Sequence, residues 1–186
     1  MQVNAYAAPA AGAPLALTTI ERRAVGDNDV LIEIEYAGIC HSDIHTVRGD
    51  WGPQPYPVVP GHEIVGTVTE VGPGVTRHQV GDRVGVGCMV NSCRECANCL
   101  RGDEQYCLKG NVGTYAATDR DGTTTQGGYS THVVVDADFV LSIPEGLDPA
   151  AAASMPSGTE STKSESTTTW VEYPPWVVVP SRSVPA

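Results

Sequence analysis

Basic residues are scarce in this 186-residue chain, where 11 Lys and Arg stand against 22 Asp and Glu and give a formal net charge of −11. Nucleic acids and anionic membranes are bound through Lys and Arg that displace counterions, so this deficit argues against both partners. The sequence also lacks an apolar run near the ~20 residues of a membrane-spanning helix, and it lacks a secretory signal pattern. We therefore expect a cytoplasmic protein with no nucleic-acid or membrane partner.

Phe occurs once, whereas Gly occurs 20 times and Pro 14 times, a mixture typical of a loop-rich, mostly β domain. Short apolar or alternating runs bounded by Gly and Pro predict five strands, at 30–36, 64–71, 84–86, 129–135 and 139–143. One or two helical turns fit 40–48, and Asp148 followed by Pro149 predicts a helix start. The pattern favours a small β-barrel or sandwich.

The composition changes abruptly near residue 154. Residues 157–169 are Ser, Thr, Glu, Gly and Lys, which cannot bury a core. Residues 170–186 hold two Trp and a Val run with no recognisable partner strand. We predict one domain over 1–153 and a poorly ordered Ser/Thr/Pro-rich tail over 154–186.

Four cysteines, Cys93, Cys96, Cys99 and Cys107, follow the pattern Cys-x-x-Cys-x-x-Cys-x7-Cys. Zinc in a structural site takes four ligands in a tetrahedron, and thiolates suit it well. Disulfides and an iron–sulfur cluster are alternatives, but a cytoplasmic location and the long last gap favour zinc. Because four thiolates leave no open position, we predict a structural zinc.

A second group of metal-ligating side chains begins in Gly-Ile-Cys-His-Ser-Asp-Ile-His, residues 38–45, and continues in Gly-His-Glu, residues 61–63. A catalytic zinc needs three protein ligands and one open position, for which Cys40 and His62 are good candidates. Taken singly, a Cys is usually a small buried apolar residue. Their joint occurrence beside a four-cysteine loop favours a second metal site.

Together with Val-Gly-Asp-Arg-Val-Gly-Val-Gly at 80–87, these motifs in this order resemble the zinc-dependent medium-chain alcohol dehydrogenases, and most of all their cinnamyl-alcohol-dehydrogenase-like branch. The resemblance covers residues 1–153. It implies a GroES-like β-barrel domain, a small alcohol or aldehyde substrate, and hydride transfer with NADP(H). The sequence alone leaves the oligomeric state and the choice between NAD and NADP open.

The resemblance also implies roles for individual residues. Cys40 and His62 match ligands of the catalytic zinc, and Glu63 matches a carboxylate that approaches the metal during ligand exchange. Asp43 matches the group that orients the ligating histidine. Ser42 and His45 match the family's proton relay, and His41 matches a position near the phosphates of the cofactor. Trp51 resembles a residue of the pocket wall, with ordinary packing as the alternative. Structural roles are expected for Cys88, His78 and His132.

Two features depart from the family. The third catalytic ligand is a cysteine in relatives, whereas Ser157 stands near that position here and no Cys follows Cys107. No Gly-x-Gly-x-x-Gly follows a strand, so the Rossmann domain is absent. We expect a truncated dehydrogenase, inactive alone, and hypothesise a frameshift or a mispredicted gene end. A non-catalytic zinc-binding module and one half of a split enzyme are the alternatives.

Overall fold

Antiparallel strands make up most of the fold. The computed structural model describes residues 1–153 and the strand at 178–180. The strands are β1 (Gln2–Ala7), β2 (Ala16–Glu21), β3 (Asp29–Gly38), β4 (Ile64–Val71), β5 (Arg83–Val86), β6 (Met89–Asn91), β7 (Val112–Gly113), β8 (His132–Asp136), β9 (Val140–Ser142) and β10 (Val178–Pro180). The α-helices are α1 (His41–Arg48), α2 (Ala97–Leu100) and α3 (Pro149–Ala152), with 3-10 turns at Glu104–Tyr106 and Ala137–Phe139.

The main sheet has the order β10-β3-β4-β5-β9, and β8 also pairs with β3. Alternate residues of its central strands point into one apolar core, where Ile32, Ile64 and Val84 have no exposed surface. β-branched side chains suit these positions because they pack well on a pleated surface. A separate two-stranded sheet joins β1 to β2, and another joins β6 to β7.

The predicted mostly β fold is confirmed. All five predicted strands are present as β3, β4, β5, β8 and β9, with small shifts at their ends. The predicted helix start is present too, since Oδ1 of Asp148 accepts the backbone N–H of Ala150 at 3.1 Å. Every strand pair in the described residues is antiparallel, so residues 1–153 contain no Rossmann unit.

The Val run near the end of the sequence has a partner strand, contrary to the sequence-based expectation. Strand β10 pairs antiparallel with Tyr36–Gly38 of β3. Since β4 covers one edge of β3 and β8 covers only Asp29–Glu33 of the other, the backbone groups at 36–38 are left open to a further strand. The rest of the predicted tail, Ser157 included, lies outside the described residues.

One glycine at the end of β3 shapes the region that follows. A Cβ atom on Gly38 would overlap Oε2 of Glu63 and lie 3.0 Å from the carbonyl oxygen of Ala153. Only a residue without a side chain lets these two segments approach β3 so closely. The chain therefore leaves β3 directly beside Glu63 and enters α1 three residues later.

No helix in the described part of the chain combines the length and the apolar character that crossing a membrane would require.

Candidate metal and catalytic site

Helix α1 begins at His41 because its N-cap is built from its own side chains. The backbone N–H of Cys40 donates to Oδ2 of Asp43 at 2.9 Å, in a capping-box arrangement. This contact satisfies a backbone group that the first turn of a helix leaves unpaired. The same contact holds Cys40 at the N-terminus of α1, and Ser42 and His45 follow in its first two turns.

His62 reaches the same place from the segment before β4. Gly61 adopts a φ of 101°, which favours glycine, and its N–H donates to Oδ1 of Asp43 at 2.9 Å. The same oxygen lies 3.3 Å from Nδ1 of His62, and both side chains are buried. Because Nδ1 faces the carboxylate, Nε2 is the nitrogen left to bind a ligand, and it lies 3.5 Å from the hydroxyl of Ser42.

Burial and mutual attraction act in opposite directions on the pKa values of His62 and Asp43. Burial alone would raise the pKa of Asp43, but the hydrogen bond and charge of His62, with two backbone N–H groups, lower it. Burial alone would lower the pKa of His62, but the hydrogen bond and charge of Asp43 raise it. A carboxylate that holds the far nitrogen of a histidine fixes its tautomer and makes the other nitrogen a stronger ligand.

Cys40, His62 and Glu63 come together as one candidate cation site. Their potential ligand atoms all lie within 4.8 Å of one another, and His62 and Glu63 are buried. One sulfur, one imidazole nitrogen and one carboxylate oxygen form a donor set that suits zinc. The three residues therefore fit a metal ion with room for a further ligand.

An open cavity of about 280 Å³ lies beside this cluster. The sequence predicted two of its lining residues, Ser42 and Trp51. It missed Tyr115, whose ring centroid lies 5.6 Å from that of His62. The other lining residues, apart from His62 itself, are Thr46, Gln54, Cys88, Gly113, Thr114 and Ala116.

Cys88 is exposed and lines this cavity, so its expected structural role is not what the geometry indicates. It follows β5 by two residues, and the turn there directs it away from the core. Tyr115 carried no sequence signal, because it meets His62 only through the fold. Burial and the charge of Asp43 raise the pKa of Tyr115 well above its usual value, although hydrogen bonds with the hydroxyls of Thr46 and Ser42 act in the opposite direction.

His45 has an acidic partner, Asp50, that the metal-ligand motif does not include. Its Nδ1 lies 2.8 Å from Oδ2 of Asp50, and both side chains are partly exposed. The ring of Trp51, which is 62% exposed, lies 5.2 Å from that of His45. His41 is exposed, and its ring lies 5.6 Å from that of His45. His41, His45 and Asp50 therefore present two imidazoles and a carboxylate to solvent, within α1 and just after it.

The four cysteines of the loop form the second candidate metal site. Their sulfur atoms lie within 4.8 Å of one another, and all six cysteines of the chain, every one in the described part, are free. The sulfur of Cys96 accepts the N–H of Leu108 at 3.4 Å, and that of Cys107 accepts the N–H of Cys93 at 3.5 Å. Such N–H contacts stabilise thiolates, the form that binds zinc.

The thiols of the loop differ in acidity. The backbone N–H groups of Cys99 and Leu108 lower the pKa of Cys96 to about 6. Burial raises the pKa of Cys99 to about 11. A cation at the centre of the cluster favours the thiolate form of all four, because a metal deprotonates a coordinating thiol. The donor set and its closure by four thiols fit a structural zinc.

The architecture and the cysteine-rich loop define a GroES-like domain with two candidate metal sites. Residues 26–145 match the family described as "Alcohol dehydrogenase GroES-like domain", and the chain belongs to this family.

The chain is similar to NADP-dependent alcohol dehydrogenase C 1 of Mycolicibacterium smegmatis, with 64% identity over 152 residues that cover 81% of this chain and 44% of that protein. It superposes on a cinnamyl alcohol dehydrogenase of Sorghum bicolor with a TM-score of 0.79 and 45% identity, covering 82% of this chain and 44% of that one. A cinnamyl alcohol dehydrogenase of Helicobacter pylori, complexed with NADP(H), gives a TM-score of 0.79 at 43% identity over the same shares. The chain thus spans less than half the length of these relatives.

Proposed function

We propose that this chain supplies the zinc-binding catalytic domain of an NADP(H)-dependent alcohol dehydrogenase that interconverts small alcohols and aldehydes. The observation that carries the proposal is the meeting of Cys40, His62 and Glu63 at the edge of a cavity that Ser42 also lines. Relatives named as NADP-dependent and cinnamyl alcohol dehydrogenases support the substrate class and the cofactor.

Cys40 and Nε2 of His62 would hold the catalytic zinc, with Glu63 as a third donor. When bound, zinc supplies a Lewis acid for the substrate oxygen, and the nicotinamide exchanges a hydride with the substrate carbon. Ser157, which stands near the position of the family's third cysteine ligand, is a poor zinc ligand in its neutral form and lies outside the described residues. Glu63 is therefore the third ligand that the described residues offer.

Side chains of this chain carry the proton of the substrate hydroxyl to solvent. In alcohol oxidation the Ser42 hydroxyl accepts the proton of the substrate hydroxyl and passes its own to His45. The imidazole of His45 is held by Asp50 at 2.8 Å and is partly exposed, so it releases the proton to water. Asp43 keeps a proton on Nδ1 of His62 and leaves Nε2 free for the metal. In aldehyde reduction the same transfers run in reverse.

The remaining site residues are assigned to the binding of the structural zinc, the cofactor and the substrate. Cys93, Cys96, Cys99 and Cys107 would hold a structural zinc that closes the loop between β6 and β7. His41, exposed at the start of α1, would contact the phosphates of NADP(H). Trp51 forms part of the wall of the substrate cavity, next to Ser42.

Zinc content separates this proposal from a non-catalytic module. The full chain is purified without added metal, loaded with excess zinc and desalted, and its zinc is measured by mass spectrometry. Two zinc ions per chain are expected. The matched variant Cys40→Ser should retain one, because it removes a donor of one cluster only. One zinc in the unmodified chain would favour the module.

A chimera tests the redox chemistry. Residues 1–153 are joined to the remaining part of the Mycolicibacterium smegmatis relative, which is 64% identical over the shared region. NADPH oxidation is followed with a panel of aromatic aldehydes, and Cys40→Ser in the chimera is the control. We expect aldehyde-dependent NADPH oxidation that Cys40→Ser abolishes. A folded chimera with two zinc ions and no such reaction would contradict the proposal. Activity of the unfused chain with a separate cofactor-binding chain would favour a split enzyme.

A further inference from the structure

Tyr129 reaches the candidate catalytic site although it lies far from the metal motifs in sequence. Its hydroxyl lies 3.4 Å from Oδ2 of Asp43 and 3.3 Å from the carbonyl oxygen of Gly38. Its ring packs tightly on the turn before His62, since a Cβ on Gly61 would lie 2.6 Å from Cδ1 of Tyr129. Tyr129 therefore contacts both chain segments that carry candidate metal ligands.

A backbone ladder holds Tyr129 in this place. The N–H of Gly127 donates to the carbonyl of Val59 at 2.7 Å, that of Gly128 to Gly61 at 2.8 Å, and that of Tyr129 to Pro60 at 3.0 Å. These bonds run along the segment that ends in His62 and Glu63. The segment 127–129, which precedes β8, is thus fixed to the ligand-bearing turn and not merely adjacent to it.

The buried guanidinium of Arg22 fixes the same segment from its other side. Arg22 is 8% exposed, and it donates to the carbonyls of Gln126 at 2.6 Å and Gly127 at 2.7 Å. It also donates to the hydroxyl of Ser130 at 2.8 Å and to the carbonyl of His132 at 3.0 Å. A buried cation with neutral acceptors on either side of Tyr129 leaves that residue little freedom to move.

Each oxygen of the Asp43 carboxylate accepts two hydrogen bonds. Oδ1 accepts Gly61 N–H and faces Nδ1 of His62, whereas Oδ2 accepts Cys40 N–H and the hydroxyl of Tyr129. The side chain of Tyr115 also hydrogen-bonds to Asp43. Tyr129 reaches Oδ2 from outside the ligand-bearing segments and is held there by the backbone bonds of its own segment. A donor fixed in this way sets the rotation of the carboxylate, and the carboxylate sets the orientation of the His62 ring.

We propose that Tyr129 is a positioning residue of the catalytic metal site, whose hydroxyl holds the Asp43 carboxylate so that Nε2 of His62 is directed at the metal. This inference rests on the proposed function, since it takes His62 as a zinc ligand. It assigns to the segment before β8 a part in metal binding that its sequence does not indicate.

The test compares Tyr129→Phe with the full, unmodified chain. Tyr129→Phe keeps the ring that packs on Gly61 and removes only the hydroxyl. Zinc release to a chromophoric chelator should become about tenfold faster for one of the two ions and stay unchanged for the ion of the four-cysteine loop. The second measurement uses the metal-free protein. There, the ¹⁵N chemical shifts of the His62 ring nitrogens should move away from the values typical of an imidazole protonated on Nδ1.

Tyr56→Phe is the matched control. The hydroxyl of Tyr56 also donates to backbone carbonyls, those of Thr46 at 3.1 Å and Val47 at 3.0 Å, and Asp43 is not among its partners. We expect this variant to release both zinc ions at the unmodified rate and to leave the His62 shifts in place. Equal acceleration in both variants would mean a general loss of rigidity and would overturn the inference.

Unchanged zinc release together with unchanged His62 shifts in Tyr129→Phe would also overturn it, because the hydroxyl would then serve Gly38 alone. If the unmodified chain binds a single zinc, the proposed catalytic site fails. The ¹⁵N comparison of the metal-free proteins then decides the role of Tyr129 by itself: moved shifts support the positioning of His62, and unmoved shifts refute it.

Discussion

Oδ1 of Asp43 lies 3.3 Å from Nδ1 of His62, and neither side chain is more than 8% exposed. Replacing the carboxylate by an amide in Asp43→Asn keeps the shape but removes the charge and turns one acceptor into a donor. We expect zinc affinity at the site of Cys40, His62 and Glu63 to fall about 10- to 100-fold, measured by competition with a chelator of known affinity.

Asp50→Asn is the matched control for Asp43→Asn. It also removes a carboxylate from a histidine, at 2.8 Å from His45, but at a partly exposed place away from the metal cluster. Zinc affinity should therefore stay within about twofold of the unmodified value, because a contact between partly exposed polar groups contributes little. A larger loss in Asp50→Asn than in Asp43→Asn would refute the assigned role of Asp43.

The four-cysteine loop makes a separate prediction about metal removal. Cys99→Ser replaces the most deeply buried thiol of the cluster by a neutral hydroxyl, so the loop should lose its zinc and the chain one metal equivalent. Amide hydrogen exchange between residues 93 and 111 should then become faster, while that of β3 and β4 stays slow. Cys88→Ser, outside the cluster, should keep both zinc ions. Full zinc content in Cys99→Ser would exclude a four-thiolate site.

The hydrogen bonds of the buried Arg22 guanidinium should stabilise the folded chain, in addition to any effect of its charge. Arg22→Lys keeps a cation but cannot reach all four acceptors of the guanidinium. We expect a loss of roughly 2–3 kcal/mol in the free energy of unfolding, measured by urea titration of the zinc-loaded chain. Arg48→Lys, at an exposed position of α1, should change it by less than about 0.5 kcal/mol. Equal effects of the two changes would show that the buried contacts of Arg22 contribute no stability.

His78 gives a prediction about pH. Burial lowers the pKa of His78 below its usual 6.5, the charge of Arg77 adds to this, and Asp82 and the nearby backbone of Val140 and Ala137 oppose it. The folded state therefore binds fewer protons than the unfolded state just below pH 6.5. The contribution of His78 to stability is complete above that pH and is lost as pH falls through the lowered pKa.

Replacing the residue should reduce this dependence. In His78→Gln, the free energy of unfolding should fall less steeply between pH 7 and pH 5, by up to ~1.4 kcal/mol per pH unit at the steepest point. The slope is obtained from urea titrations at several pH values, and an unchanged slope in His78→Gln would contradict the prediction.

Much of the fold and the metal clusters follows from local spacing. The capping contact between Cys40 and Asp43 spans three residues, and the four cysteines lie within fifteen, so the sequence brings each group together. The strand β4 was predicted with its observed bounds, because its apolar run ends at a Gly-Pro-Gly turn. The partners of these groups from distant parts of the chain were not predictable in this way.

Tyr129 illustrates why. It is 86 residues from Asp43, and nothing in its local sequence distinguishes it from the other tyrosines of the chain. Its role depends on the ladder between residues 127–129 and 59–61, which exists only once the sheet has formed. Cys88 differs from expectation for the same reason, since the turn after β5, not the residue type, decides whether it faces the core or the cavity.

The carboxylate of Asp43 accepts backbone N–H groups from both Cys40 and Gly61, so a single side chain joins the two segments that carry the candidate ligands. Loss of this one carboxylate would therefore release Cys40 and His62 together, although they lie on different elements of the fold.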